Sequence, residues 1–201
     1  MIIGVDFDNT IVCYDELFRK VALERGAIPA TTPPSKGAVR DYLRQTGQEP
    51  LWTELQGYVY GPRMQEASPF PGALEFFRGC KARGVPVFVI SHRTLYPYLG
   101  ERYDLHQAAR DWLAAYGFHD AQRIGLPRDH VCFELSKQEK LARIAQMGCT
   151  HFIDDLPEFL EEPAFPPGVE RLLFDPNDVQ PECTVARRMD SWPAIATLLF
   201  G

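Results

Sequence analysis

Cysteine is scarce in this sequence, and its arrangement excludes two common ways of stabilising a domain. Five cysteines are scattered through 201 residues, an odd number with no Cys-x-x-Cys pair. Neither a disulfide framework nor a structural zinc site is therefore expected. A chain of this length buries roughly 70% of the surface that it exposes when unfolded, so a hydrophobic core suffices. We expect the cysteines to be core thiols in a reducing compartment.

Long apolar runs and an excess of positive charge are also absent. No stretch approaches the roughly 20 apolar residues that a membrane-spanning helix needs. The first residues, Met1 to Asp6, contain no basic region of the kind that opens a signal peptide. Lys and Arg number 21 against 27 Asp and Glu, a formal charge of −6, which disfavours a partner held through its phosphate backbone. We expect a cytoplasmic protein whose partners include neither a membrane nor a nucleic acid.

Short apolar runs alternate with amphipathic helical segments along most of the chain. The apolar runs lie at residues 2–7, 85–90, 131–135, 151–153 and 171–174, and the helical segments at 71–84, 105–116, 137–147 and 192–200. Strands that alternate with helices of this length indicate a parallel sheet covered on both faces. The predicted fold is therefore α/β, a three-layer α/β/α Rossmann-like arrangement with about five parallel strands. Ligands of such sheets bind at the carboxyl ends of the strands.

Residues 14–68 interrupt this alternation with helical patterns and five prolines but no convincing strand. We predict that they form a helical insert, a lid over the active edge of a core built from residues 1–13 and 69–201. Four side chains of the insert would suit a nucleoside or sugar phosphate: Trp52, Tyr58, Tyr60 and Arg63. Aromatic residues at such spacing more often belong to a core, and both interpretations stay open.

Polar clusters follow the predicted strands. They are Asp6 with Asp8, Ser91, Lys137 with Lys140, and Asp154 with Asp155. A parallel sheet brings the ends of its strands to one edge, so these clusters are expected to meet. Taken singly, an Asp-x-Asp pattern or a strand-end serine is equally explained as a turn or a helix cap. The two adjacent carboxylates that follow the fourth strand repel each other unless a cation or a proton lies between them, which favours a bound divalent metal.

Taken together and in order, the clusters resemble the four motifs of the haloacid-dehalogenase-like (HAD) hydrolase superfamily. The strings that carry the resemblance are Ile3-Gly4-Val5-Asp6-Phe7-Asp8-Asn9-Thr10, Val87-Phe88-Val89-Ile90-Ser91, Ser136-Lys137-Gln138-Glu139-Lys140 and Phe152-Ile153-Asp154-Asp155. The resemblance covers the whole chain, with residues 14–68 in the place where many members carry a helical cap. The Ile153-Asp154-Asp155 ending is similar to that of the nucleotidase-like branch.

The resemblance implies a Mg²⁺-dependent phosphomonoester hydrolase that acts through an aspartyl-phosphate on a small phosphorylated metabolite, either a nucleotide or a sugar phosphate. Asp6 would be the nucleophile, and Asp8 would be the general acid and then the base. Ser91 would donate a hydrogen bond to a phosphoryl oxygen. Mg²⁺ would be held by Asp6, Asp154 and the backbone carbonyl of Asp8, with Asp155 orienting the water molecules on the metal. Members that cleave carbon–halogen bonds lack the second aspartate of the first motif, so Asp8 argues for phosphate chemistry.

A lysine would neutralise charge on the transferring phosphoryl group, and two candidates are available. Lys137 is preferred, because Ser136 is the expected N-cap and the first helical position lies nearest the positive end of the helix. Lys140 is kept as the alternative and as a substrate-binding residue, together with His92 and Arg93, which also fit a solvated loop. A phosphomutase or a non-catalytic regulatory protein on the same scaffold stays open, and the oligomeric state is not predicted.

Overall fold

The chain is described by a computed structural model over residues 1–181 and 183–201. It divides into two compact units. The first comprises Met1–Val12, Pro69–Arg93 and Gly117–Gly201, and the second comprises Cys13–Ser68 and Thr94–Tyr116. The second unit therefore contains the predicted insert and also residues 94–116, which the sequence analysis assigned to the sheet.

The strands are short and, in the main sheet, parallel. In chain order they are β1 (Ile3–Val5), β2 (Val12–Cys13), β3 (Ser68–Pro69), β4 (Val87–His92), β5 (Val131–Glu134), β6 (His151–Asp154), β7 (Glu170–Phe174) and β8 (Arg187–Met189). Six of them form one sheet in the order β5-β4-β1-β6-β7-β8, while β2 pairs with β3. The Rossmann-like α/β class is thus confirmed. The sheet has one strand more than the sequence indicated.

The additional strand is β8, which lies at the edge of the sheet beside β7. Arg187 and Arg188 are exposed and only Met189 is buried. A three-residue edge strand with two arginines lacks the apolar run by which a buried strand is recognised. Its absence from the sequence-based prediction follows directly from that composition.

The described residues also form eight α-helices. They are α1 (Asp15–Glu24), α2 (Lys36–Gln45), α3 (Glu49–Tyr60), α4 (Ala73–Ala82), α5 (Leu105–Ala115), α6 (Lys137–Gln146), α7 (Pro157–Leu160) and α8 (Trp192–Phe200) among the residues described. Short 3₁₀ turns occur at Met64–Glu66 and Arg128–His130. Over the same residues, no helix is long and apolar enough to cross a membrane.

Successive strand residues point to opposite faces of the main sheet, so each face presents side chains that can pack against helices. On one face, Leu173 of β7 joins a buried cluster with residues of α6 and α7. On the other face, the ring of Phe174 packs 5.5 Å from that of Trp192, which lies 4.9 Å from the ring of Phe76 in α4. These two layers hold the strands in place and leave their carboxyl ends free to carry polar groups.

The second unit is helical, with α1, α2, α3 and α5. Trp52 is buried there, with its ring 4.9 Å from that of Phe18. Residues 94–116 belong to this unit for a specific reason: the indole Nε1 of Trp112 and the hydroxyl of Tyr116 both donate hydrogen bonds to the carbonyl of Ala67, at 2.9 and 3.1 Å. The end of the insert is therefore tied to α5.

All five cysteines are free thiols, as expected. Only Cys80 and Cys149 are buried, whereas the other three are partly exposed. The expectation that all five lie in the core was therefore wrong for Cys13, Cys132 and Cys183. Cys132 and Cys183 nevertheless pack against the buried cluster on one face of the sheet.

Candidate active site

A buried carboxylate follows β1, at the centre of the main sheet. The ladder between β1 and β6 extends one residue further, because the backbone N–H of Asp6 donates to the carbonyl of Ile153 at 2.9 Å. This bond fixes Asp6 beside Asp154, the last residue of β6. Both side chains are almost completely buried. The order of the strands, with β1 next to β6, is what brings the first and fourth motifs together.

Lys140 lies between these two carboxylates. Its Nζ atom donates to Oδ1 of Asp6 and to Oδ2 of Asp154, both at 2.6 Å. The ammonium is buried and lies 4.0 Å from the ring centroid of Phe159, in cation–π geometry. The Phe159 ring and the two carboxylates together fix the position of the ammonium.

Helix α6 carries this lysine, and its N-terminus is fixed by side-chain capping. Ser136 is the N-cap: its hydroxyl oxygen accepts from the backbone N–H of Glu139 at 3.2 Å, and its hydroxyl donates to the Glu139 carboxylate at 3.0 Å. The same carboxylate accepts from the backbone N–H of Leu135 at 3.1 Å, which completes a capping arrangement. The predicted N-cap at Ser136 is confirmed. The first turn is locked, and the fourth residue of the helix reaches the carboxylates.

Lys137 lies elsewhere. Its Nζ atom is 3.7 Å from Oε1 of Glu162, and its side chain is 40% exposed. The geometry thus favours Lys140 over the preferred Lys137 as the lysine of the site. The preference rested on proximity to the helix N-terminus, but the residue that is buried against the sheet lies one turn further along α6.

Burial and charge act against each other in this cluster. Burial raises the pKa of Asp6 to about 7, Lys140 opposes the rise, and the carboxylates of Asp154 and Asp8 add to it. Burial alone would lower the pKa of Lys140, but Asp154 and Asp6 more than offset it and raise that pKa above its ordinary value. The cluster therefore holds a firmly protonated lysine beside a nucleophile candidate that accepts a proton readily.

A third carboxylate completes a possible metal centre. Carboxylate oxygens of Asp6, Asp154 and Asp155 all lie within 4.8 Å of one another, and all three residues are buried. Oδ1 of Asp155 accepts from the hydroxyl of Thr10 at 3.4 Å, and Oδ1 of Asp154 accepts from the backbone N–H of Leu156 at 2.9 Å. Oxygen donors alone suit Mg²⁺ rather than zinc. Three carboxylates against one ammonium also leave the negative charge that a divalent cation would neutralise, so the residues present fit this metal.

Asp8 is separate from that group and contacts Arg93. The Nη1 atom of Arg93 lies 2.5 Å from Oδ1 and 2.7 Å from Oδ2 of Asp8. The arginine is buried, whereas the aspartate is partly exposed. Sequence reasoning assigned Arg93 to substrate binding and gave no sign of this ion pair, since 85 positions separate the two residues.

Ser91 and His92 occupy the last two positions of β4. Ser91 is buried and pairs in register with Phe133 of β5, whereas His92 is exposed. Thr10, the partner of Asp155, was not singled out from the sequence. Its only signal was its position at the end of the first motif string.

The side chains named in the insert have mixed environments within the second unit. Trp52 is a core residue. The ring of Tyr60 packs against Tyr14 and Phe18, with centroid distances of 4.9 and 5.6 Å. Arg63 forms ion pairs with Glu24 and Glu66. For Trp52, the interpretation as core is the correct one.

No family model matches the chain. A curated phosphoserine phosphatase from Albidiferax ferrireducens (strain ATCC BAA-621 / DSM 15236 / T118) is 32% identical over 98 residues, which are 45% of this chain and only 40% of that protein's length.

Solved structures match over almost the whole chain. A HAD family hydrolase from Deinococcus radiodurans R1, with bound phosphate and sodium, has a TM-score of 0.56 and 17% identity over 98% of this chain and 94% of its own. A putative HAD-hydrolase from Bacillus subtilis, bound to magnesium, has a TM-score of 0.59 and 12% identity over 99% and 98%. This chain therefore has the fold of the HAD-like hydrolase superfamily, which confirms the fold implied by the resemblance.

Proposed function

We propose that this protein is a Mg²⁺-dependent phosphomonoester hydrolase that acts through an aspartyl-phosphate on a small phosphorylated metabolite, a nucleotide or a sugar phosphate. The observation that carries the proposal is the buried ammonium of Lys140, held at 2.6 Å from both Asp6 and Asp154. A fixed cation next to a nucleophile candidate is what a dianionic phosphoryl group requires. The similarity to a phosphoserine phosphatase over part of the chain supports the same chemistry.

In the proposed reaction, a carboxylate oxygen of Asp6 attacks phosphorus while the bond from phosphorus to the leaving oxygen breaks. Asp8 donates its proton to that oxygen, and the alcohol departs. Asp8, now ionised, accepts a proton from water as the water oxygen attacks phosphorus. The bond between phosphorus and Asp6 breaks, and orthophosphate is released.

The remaining groups stabilise charge. Lys140, rather than Lys137, neutralises a phosphoryl oxygen, and the hydroxyl of Ser91 donates a hydrogen bond to another. A bound Mg²⁺ would be held by Asp6, Asp154 and the carbonyl of Asp8, with Asp155 ordering its water molecules, and would supply further positive charge. His92 is exposed at the end of β4, where it would contact the leaving group.

We assign substrate selection to the insert, residues 14–68, as the helical cap that the resemblance implies. Trp52 belongs to the core, so the side chains of the insert that would suit a nucleoside or sugar moiety are those of Tyr58 and Tyr60, which are partly exposed. Placement in the nucleotidase-like branch and a cytoplasmic location remain predictions that accompany this proposal.

A panel of nucleoside monophosphates, sugar phosphates and phosphoserine, assayed for orthophosphate release with and without Mg²⁺, tests the proposal. We expect release from at least one compound, loss of activity with EDTA and recovery with Mg²⁺. The matched control is Asp6→Asn, which preserves shape but removes the nucleophile. Full activity in metal-free buffer, or in the Asp6 variant, would refute it. Conversion of one phosphosugar into its isomer without orthophosphate would instead identify a phosphomutase.

A further inference from the structure

The contact between Arg93 and Asp8 has an unusual geometry. A single guanidinium nitrogen, Nη1, lies within 2.7 Å of both carboxylate oxygens of Asp8. The Arg93 side chain is only 3% exposed, while that of Asp8 is 20% exposed. The buried guanidinium of Arg93 thus forms an ion pair with the partly exposed carboxylate of Asp8.

The backbone of Arg93 is hydrogen-bonded to the neighbouring strand. Its own N–H donates to the carbonyl of Glu134 at 2.9 Å, which extends the pairing of β4 with β5 by one residue. Its guanidinium carbon lies 5.7 Å from the ring centroid of Phe7, a fully buried residue between Asp6 and Asp8. The backbone of Arg93 is therefore held to the end of β5, and its guanidinium lies near the Phe7 ring as well as Asp8.

Asp8, in contrast, stands where the chain turns away from the sheet. The next residue, Asn9, has φ of 58°, in the left-handed region that asparagine tolerates better than most residues. The backbone after β1 changes direction at this point. The contacts of the Asp8 side chain include the ion pair with Arg93, which limits the direction of the carboxyl group.

We propose that Arg93 is a positioning residue. It orients the Asp8 carboxyl group so that this group can donate its proton to the leaving oxygen. The inference rests on the proposed function. Because Nη1 contacts both oxygens, the ion pair defines the direction in which the carboxyl group of Asp8 faces. When the phosphorus–oxygen bond breaks, its electron pair stays on the leaving oxygen, which takes the proton of Asp8, while Asp6 forms the new bond to phosphorus. Arg93 keeps its own protons throughout.

This role differs measurably from phosphate binding. An arginine that binds the phosphoryl group contributes equally to every phosphomonoester. An arginine that acts through the general acid matters only where the leaving group needs a proton. Since kcat/KM covers the steps up to cleavage of the phosphorus–oxygen bond, its dependence on leaving-group basicity separates the two roles.

The experiment compares wild type with Arg93→Met on a series from p-nitrophenyl phosphate through phenyl phosphate to an alkyl phosphate, in saturating Mg²⁺. We expect kcat/KM to fall by about 100-fold on the alkyl ester and by less than about threefold on the nitrophenyl ester. Arg93→Lys, which keeps the charge on a shorter side chain, should give an intermediate dependence. Arg188→Met is the control, because it removes an arginine from a different aspartate, Asp175, which the proposed mechanism does not use, and it should leave the series unchanged.

A double-mutant cycle with Asp8→Asn on phenyl phosphate completes the test. If Arg93 acts through Asp8, Arg93→Met should cause no further loss once Asp8 is changed. An equal loss on all leaving groups, an undiminished loss in the Asp8→Asn background, or no loss at all would overturn the positioning role. If Arg93→Met fails to fold, as judged by circular dichroism, Arg93→Lys decides by the same criteria. A wild-type protein inactive towards every ester would refute the proposed function itself, before any variant is made.

Discussion

The ammonium of Lys140 lies 2.6 Å from Oδ1 of Asp6, across the 134 positions that separate the two residues in the chain. With its second contact to Asp154, this lysine links the first, third and fourth sequence motifs in one buried cluster. Taking such a charge out of water is costly unless partners of opposite charge compensate for it. The opposite charges of the cluster therefore compensate one another. Removing one member leaves the remaining buried charges uncompensated.

The two lysines should differ sharply in their contribution to catalysis. Lys140→Met should lower kcat/KM by a factor that corresponds to about 3 kcal/mol or more, the scale of one preorganised electrostatic partner. Lys137→Met, which removes an exposed lysine near Glu162, should change it by less than about threefold, as is usual for exposed ion pairs. Steady-state kinetics of both variants on one substrate provides the measurement. A collapse of the Lys137 variant with an active Lys140 variant would restore the assignment made from the sequence.

The two aspartates of the first motif should fail at different steps. Asp6→Asn should prevent any covalent labelling by a phosphate ester with a good leaving group, because the amide is a poor nucleophile. Asp8→Asn should still be labelled, and the label should persist, because no base activates water for its hydrolysis. Mass spectrometry of the intact protein detects the added phosphoryl group. Labelling of the Asp6→Asn, Asp8→Asn double variant would show that another residue is the nucleophile.

Binding of Mg²⁺ should weaken as the pH falls below about 7. In the metal-free protein, burial raises the pKa of Asp6 to about 7, so below that pH the proton and the metal compete for the same carboxylate. The affinity should fall by up to about tenfold for each pH unit below 7 and level off above it, with about one proton released on binding at low pH. Calorimetry in two buffers of different ionisation enthalpy measures both quantities.

The control for this prediction is Asp6→Asn, in which the amide neither competes for a proton nor ionises. Its affinity for Mg²⁺ should be weaker throughout and should lose the inflection near pH 7. An affinity of the wild-type protein that stays constant between pH 6 and 8 would contradict the link between Asp6 and the metal.

Local patterns were sufficient for five of the six strands of the main sheet and for the identity of its polar edge, because strand ends and helix caps are marked within a few residues. Ser136 is such a mark, and it is confirmed as an N-cap. The choice between Lys137 and Lys140 needs a quantity that a sequence does not contain, namely how far α6 projects beyond the strand ends. The pairing of Arg93 with Asp8 is likewise set by the order of β1 and β4 in the sheet.

The last prediction concerns residues 94–116, which the structure places in one unit with the insert. Trp112 is fully buried, and its indole donates to the carbonyl of Ala67 at the end of the insert. Trp112→Phe should lower the free energy of unfolding by about 2 kcal/mol, since it removes both a hydrogen bond and buried volume. Tyr116→Phe, which removes only the second hydrogen bond to the same carbonyl, should cost about 1 kcal/mol. Urea unfolding followed by circular dichroism measures both, and Trp112→Phe with wild-type stability would show that α5 is held to the insert by other contacts.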